Sequence, residues 1–181
     1  MTKVTKTTTQ TVRIGGKRMR LVTRNGKVTV SAAMPLEWEL QAAQVRRLRG
    51  MPEYALEARQ AGPGKFTLAG DQNAAKRGPQ ARMQAQAAGL TPGEHDVRIY
   101  MFGGRLGLIE NKVGEAKLEP SQKARHPLLA ALGFTMQEVV RATSCDEAAD
   151  KAEAIVRRWL AANDNERVEE NYRSRTLPKA A

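Results

Sequence analysis

The chain has 181 residues, 41% of them hydrophobic, which is enough to bury a core and too many for wholesale disorder. Thirty Lys and Arg against nineteen Asp and Glu give a net charge of +11, a balance that points to a polyanionic partner, nucleic acid first. The apolar runs are too short for a membrane-spanning helix or a secretory signal, and the one cysteine, Cys145, excludes an internal disulfide or a cysteine-rich zinc site.

Eight of the basic residues and no acid lie in residues 1–30, so the remainder is close to balanced. Residues 1–34 therefore read as a basic head, frayed over its first threonines. Three β-like runs follow, Thr11–Ile14, Lys17–Arg24 and Lys27–Ser31. Gly15-Gly16 and Asn25-Gly26 separate them, and such pairs favour two-residue hairpins because the turn needs positive φ at both positions. The pattern predicts a β-meander, either a solvated extension of a sheet or a ribbon that grips phosphates. On the second reading Lys17, Arg18, Arg20, Arg24 and Lys27 contact nucleic acid.

Pro35 suits the first turn of a helix that runs to about Arg49. Glu37, Gln41, Gln44 and Leu48 form one stripe of it. Glu39 stands about 200° round from Glu37 at about 100° per residue, so the two acids cannot serve one site. Residues 51–78 read as loop, with Asn73, Lys76 and Arg77 as candidate phosphate contacts. A short helix over about Gln80–Ala88 follows. Asp96–Phe102 and Arg105–Val113 read as two strands joined at Gly103-Gly104. A helix from Pro120 to about Leu132, a strand over Thr135–Ala142 and an amphipathic helix over Asp146–Ala162 complete the order. Residues 163–181 read as a polar tail. The expected fold is a mixed α/β layer, with the main domain over 35–162 and helices on the faces of its sheet.

Asp96, followed thirteen residues later by Glu110-Asn111-Lys112, is the pattern that carries chemistry. Phosphodiester hydrolysis needs a cation on the phosphate, an activated water and charge compensation. Two carboxylates on adjacent strands can hold Mg²⁺, which prefers oxygen ligands. Alternation puts Glu110 and Lys112 on one face. The hairpin register decides whether Asp96 joins them. A two-residue loop would set Asp96 opposite Asn111 and turn it away. A three-residue loop over Gly103–Arg105 would set it opposite Lys112, with all three groups on one face.

Gly93-Glu94-His95-Asp96, Val97–Phe102, Gly103-Gly104-Arg105 and Leu108-Ile109-Glu110-Asn111-Lys112 resemble the core of the PD-(D/E)XK nucleases. Glu119-Pro120-Ser121-Gln122-Lys123, Leu128–Gly133 and Val139-Val140-Arg141 extend the likeness to the virus-type replication-repair (VRR-NUC) branch. Glu37-Trp38-Glu39-Leu40-Gln41 resembles that branch's first helix. The resemblance spans about residues 36–160, is densest over 93–141 and leaves the head and tail outside. It is closest to standalone, phage-encoded members.

The resemblance implies a PD-(D/E)XK fold and a Mg²⁺- or Mn²⁺-dependent endonuclease acting on branched DNA, such as Holliday-junction-like or flap structures, in phage or prophage DNA recombination, repair or processing. Asp96 and Glu110 would bind the metal, with the backbone carbonyl of Asn111 completing the shell. Lys112 would be the catalytic lysine. Glu37 matches the first-helix acid, with a metal or water-positioning role, and Gln122 matches the family's glutamine near the scissile phosphate. Where the family has Pro before the Asp, this chain has His95. A homodimer and a bacterial host cytoplasm are expected. The competing readings are a basic nucleic-acid-binding module that keeps the fold without the chemistry, and a restriction-like enzyme. Of the remaining residues, His95 is expected to point away from the site, and His126 to share a helix face with Gln122, near phosphate or partly packed. Trp38 and Trp159 are expected in the core.

Overall fold

The computed structural model describes residues 7–71 and 78–176, without the side chains of Arg82 and of 163–176. The chain divides into two units, one ending at Pro35 and the other starting at Leu36.

The first unit is an antiparallel meander of β1 (Thr7–Ile14), β2 (Lys17–Arg24) and β3 (Lys27–Ala32). Both connections are two-residue hairpins. Asn25 holds a φ of 50° and Gly26 one of 80°, the left-handed pair such a turn requires. The first strand begins at Thr7 and takes in threonines that the sequence reading leaves frayed. Their β-branched side chains favour extended backbone once a partner strand is present, and Thr7 pairs with Arg24.

The second unit contains α1 (Glu37–Arg49), β4 (Phe66–Gly70), α2 (Pro79–Ala87), β5 (Val97–Met101), β6 (Arg105–Val113), α3 (Pro120–Ala131), β7 (Gln137–Ala142) and α4 (Cys145–Thr176). Its sheet has the order β4-β5-β6-β7. The first three strands are antiparallel, and β6 and β7 are parallel. A parallel pair needs a long crossover, which α3 provides.

One face of the sheet makes the core. Phe66, Leu68, Val97, Ile99, Met101 and Ile109 pack with Leu40 and Leu48 of α1 and Ala152, Val156 and Trp159 of α4. Gly107 is where the Trp159 ring crosses β6, and a Cβ there would overlap the ring. The other face of β6 presents Glu110 and Lys112.

Two elements depart from the sequence reading. The loop expected over 51–78 contains β4, a five-residue strand whose partner, β5, is nearly thirty residues on. That pairing, with Phe66 and Leu68 buried, makes the segment a strand; Gly62-Pro63-Gly64 and Gly70 mask it locally. The polar tail expected after Ala162 is helical as far as Thr176. The apolar stripe ends at Leu160, but no Gly or Pro interrupts the chain before Pro178, and Glu and Arg are good helix formers. Among the described residues no helix is long and apolar enough to cross a membrane.

Candidate functional site

The pleat of β6 divides its residues between two environments. Asn111 turns toward the core helices, where its Oδ1 accepts a hydrogen bond of 2.7 Å from Gln44 Nε2. Glu110 and Lys112 turn the other way, toward α3. All four of these side chains are buried. Burying a carboxylate and an ammonium is costly unless they satisfy one another or serve a purpose.

Met101 pairs with Arg105, so the hairpin loop is Phe102-Gly103-Gly104. The loop has three residues but lies one position earlier than either register drawn from the sequence. Gly103 and Gly104, at φ 82° and 76°, make the turn. The last ladder pair is Val97 with Ile109. One step further, Asp96 comes opposite Glu110 rather than Asn111 or Lys112. The parity is the one the chemistry requires, and Asp96, Glu110 and Lys112 share a face.

Asp96 is fixed from three directions. Its Oδ2 accepts the Asn111 backbone N–H at 2.7 Å. Its carbonyl accepts the Asp71 N–H at 2.7 Å and Gln41 Nε2 at 2.9 Å. Gln41 thus braces the backbone at Asp96, while Gln44, one turn along α1, holds the Asn111 side chain.

Lys112 Nζ stands 3.0 Å from Glu110 Oε1 and 3.1 Å from Glu37 Oε1. Glu37 reaches it from the first turn of α1, while Glu39 Oε2 accepts the Leu36 N–H at 2.7 Å and caps the helix instead. Gln122, in the first turn of α3, also donates to Glu110 Oε1. The structure therefore brings together Glu37, Asp96, Glu110, Lys112 and Gln122, drawn from α1, β6, α3 and the residue preceding β5.

The electrostatics follow from burial. Desolvation, helped by the neighbouring Asp96 charge, pushes the Glu110 carboxyl up to about 7 despite Lys112. Burial also raises Asp96, against the opposing pull of the Asn111 N–H and Lys112. For Lys112, burial works against the ammonium, but its contacts with Glu110 and Glu37 outweigh it and hold the group above its ordinary value.

Glu110 Oε2 is buried and has no hydrogen-bond partner. A buried carboxylate oxygen left in this way suits a hard cation, and Asp96, across the ladder, offers a second carboxylate. The donor set fits Mg²⁺ or Mn²⁺ as a two-carboxylate site. Among the described residues, no group of three or more His, Cys, Asp or Glu side chains stands ready to hold a metal.

Both histidines come to this face. The His126 Nε2 lies 3.8 Å from Glu110 Oε2. Fully buried His95 stacks on the His126 ring, with centroids 3.9 Å apart and planes inclined by 19°. His95 thus does not point away from the site. It lies two residues before β5, one beyond Asp96, and strand alternation does not govern it there. Burial, followed by the charges of His126 and Arg98, lowers His95 to about 3; burial lowers His126 as well.

Trp159 is in the core, but Trp38 is 59% exposed. The buried stripe of α1 is Leu40, Gln44 and Leu48, and Trp38 lies about 200° round from Leu40. Asn73, Lys76 and Arg77 lie outside the described residues.

The sequence reading also passes over an ionic network beside Asp96. Arg98 is bound to Asp71 at 2.7 Å and lies 3.6 Å from Glu94, which in turn pairs with Arg125 of α3. These side chains line a cleft of about 550 Å³. The available signal was parity, since Arg98 follows Asp96 by two residues. No family model, curated protein or solved structure matches the chain.

Proposed function

We propose that the chain is a divalent-metal-dependent endonuclease of the PD-(D/E)XK type, VRR-NUC branch, that hydrolyses phosphodiester bonds in branched DNA. The observation that carries this reading is the pair Glu110 and Lys112, buried side by side on the face of β6 turned from the core, with Asp96 across the ladder. An ion pair placed there for stability alone has little to recommend it, because well-packed apolar residues serve a core at least as well. The four-stranded mixed sheet with its flanking helices agrees with the fold that the sequence resemblance implies.

In this reading Asp96 and Glu110 hold Mg²⁺ or Mn²⁺. The cation, when bound, supplies Lewis-acid polarisation of the phosphate and a more acidic water. Glu110 must give up its proton to serve as a ligand. Gln122 and Lys112 occupy its Oε1 and leave Oε2 for the cation. The Lys112 ammonium offsets charge that grows on the phosphoryl oxygens. Glu37 keeps that ammonium charged and aimed. Branched DNA as substrate, a homodimer and a bacterial host cytoplasm rest on the resemblance to standalone phage-type members.

The test is cleavage of labelled four-way junction, flap, splayed-arm, duplex and single-stranded substrates with Mg²⁺ or Mn²⁺. Cleavage of the branched substrates ahead of the duplex is expected. Failure to cut any of them with either metal would overturn the reading.

A further inference from the structure

The register of the meander sorts its charges onto one side. Residues directly opposite in an antiparallel ladder share a face. Arg13 is opposite Arg18, Arg20 opposite Ser31, and Arg24 opposite Lys27. Arg18, Arg20 and Arg24 alternate along β2, so all five cations lie on one face. Thr7, Thr9, Thr11, Thr29 and Ser31 share that face, with Val22 as its one described apolar residue. The opposite face carries Met19, Leu21, Val28 and Val30, with Lys17 its single described cation.

Arg24 and Lys27 are like charges set directly across a ladder, an arrangement that destabilises a sheet. Residues 1–35 contain no acid that would relieve it. Tolerating it is reasonable if a polyanion covers the face. Three features choose among polyanions. Hydroxyls interleave with the cations and can donate to phosphate oxygens. Residues 1–35 hold no Trp or Phe, the side chains with which an interfacial element seats its apolar face in a membrane. Residues 1–35 have no Phe, Tyr, Trp or His on which unpaired bases could stack.

We propose that this face, through Arg13, Arg20, Arg24 and Lys27, docks the phosphate backbone of duplex nucleic acid without reading its sequence. The proposal names a substrate-holding surface for the nuclease reading and rests on it only for the identity of the polyanion. It adds Arg13 to the residues chosen from the sequence and removes Lys17, which is on the other face, and Arg18, whose guanidinium donates to the Met34 carbonyl.

The experiment uses the full chain in EDTA, so that binding is read without cleavage. Anisotropy of a labelled duplex is titrated at several salt concentrations. The log–log slope is compared for wild type, Arg13→Gln/Arg20→Gln/Arg24→Gln, the same triple change to Lys, and Lys17→Gln. Each phosphate contact contributes roughly 0.9 to the slope. The Gln triple is expected to flatten it by close to three units by that rule. The Lys triple and Lys17→Gln should leave it nearly unchanged. Should the Gln triple fail to fold by circular dichroism, Arg20→Gln and Arg24→Gln are read singly, each expected to remove about 0.9. An unchanged slope in the Gln variants, or a Lys17→Gln loss as large as that of a single Gln on the basic face, overturns the proposal. So does wild-type binding to phosphatidylserine vesicles, lost in the Gln variants, without duplex binding. Retained duplex binding by a protein that cuts nothing sinks the nuclease reading alone.

Discussion

Lys112 Nζ lies 3.0 Å from Glu110 Oε1, two residues back on the same strand, and both side chains are almost wholly buried. The pair divides the work at the site. Glu110 has one oxygen engaged by Lys112 and Gln122 and the other without a hydrogen-bond partner. Lys112 has its charge secured by two carboxylates.

Replacing Lys112 by Ala should therefore lower single-turnover cleavage by at least about a hundredfold, the scale for losing one transition-state charge partner. Duplex binding in EDTA should change little, because the ammonium is buried. The control is circular dichroism of the same preparation. Wild-type cleavage by folded, nuclease-free Lys112→Ala would remove the lysine from the mechanism.

The elevated Glu110 carboxyl makes a prediction for the metal-free protein. Its folded value is about 7, against about 4.5 for the unreacted carboxyl. The folded state thus holds this proton more tightly than the unfolded chain. That contribution to stability is fully present below about pH 4.5 and is lost as pH rises through 7. In EDTA, wild type should lose stability relative to Glu110→Gln between pH 5 and pH 8, by an amount on the order of 3 kcal/mol at about 1.4 per unit. Urea melts of both proteins across that range measure the difference. A gap that stays constant with pH would contradict it.

Metal dependence gives the third prediction. Turnover should stop in EDTA and return with Mg²⁺ or Mn²⁺. Asp96→Asn keeps an oxygen for the Asn111 N–H, so the backbone should hold while the metal loses a charged ligand. Mn²⁺ affinity by calorimetry should fall tenfold or more, which is about 1.4 kcal/mol. Undiminished Mn²⁺ binding by both Asp96→Asn and Glu110→Gln would place the cation elsewhere.

Much of this was legible in the sequence because it is local. Asn25-Gly26 announces its turn, and Glu110-x-Lys112 announces a shared face by alternation alone. The hairpin register was harder, since two glycines accommodate several loops and only the packed sheet selects Phe102-Gly103-Gly104. β4 was hidden because its strand character is supplied by β5. His95 was misplaced for a related reason: alternation was carried two residues past the end of a strand, one beyond Asp96. Trp38 shows the limit of composition, for a tryptophan on a helix is core only if the helix turns that way, and here Leu40, Gln44 and Leu48 claim the inward stripe.

Gly93 connects the fold to the site and supplies the last prediction. It holds a φ of 88°, and a Cβ on it would come within 2.5 Å of the Ser121 carbonyl oxygen. That obstacle is backbone, which cannot swing aside as a side chain would. Ser121 immediately precedes Gln122, whose amide donates to Glu110. Gly93→Ala must therefore strain the left-handed backbone or push the first turn of α3 away from β6. The second outcome withdraws Gln122 from Glu110 and enlarges the space at the carboxylate. Activity should then fall further than stability accounts for. Val156→Ala, which trims a fully buried side chain of α4 on the opposite face, is the comparison. Both variants should melt earlier than wild type, with about 1–3 kcal/mol lost in each. At a temperature where both are fully folded, Val156→Ala should cut DNA at nearly the wild-type rate, and Gly93→Ala should be slower by tenfold or more. Equal rates for the two folded variants would mean that the seat of α3 on Gly93 does not set the geometry at Glu110.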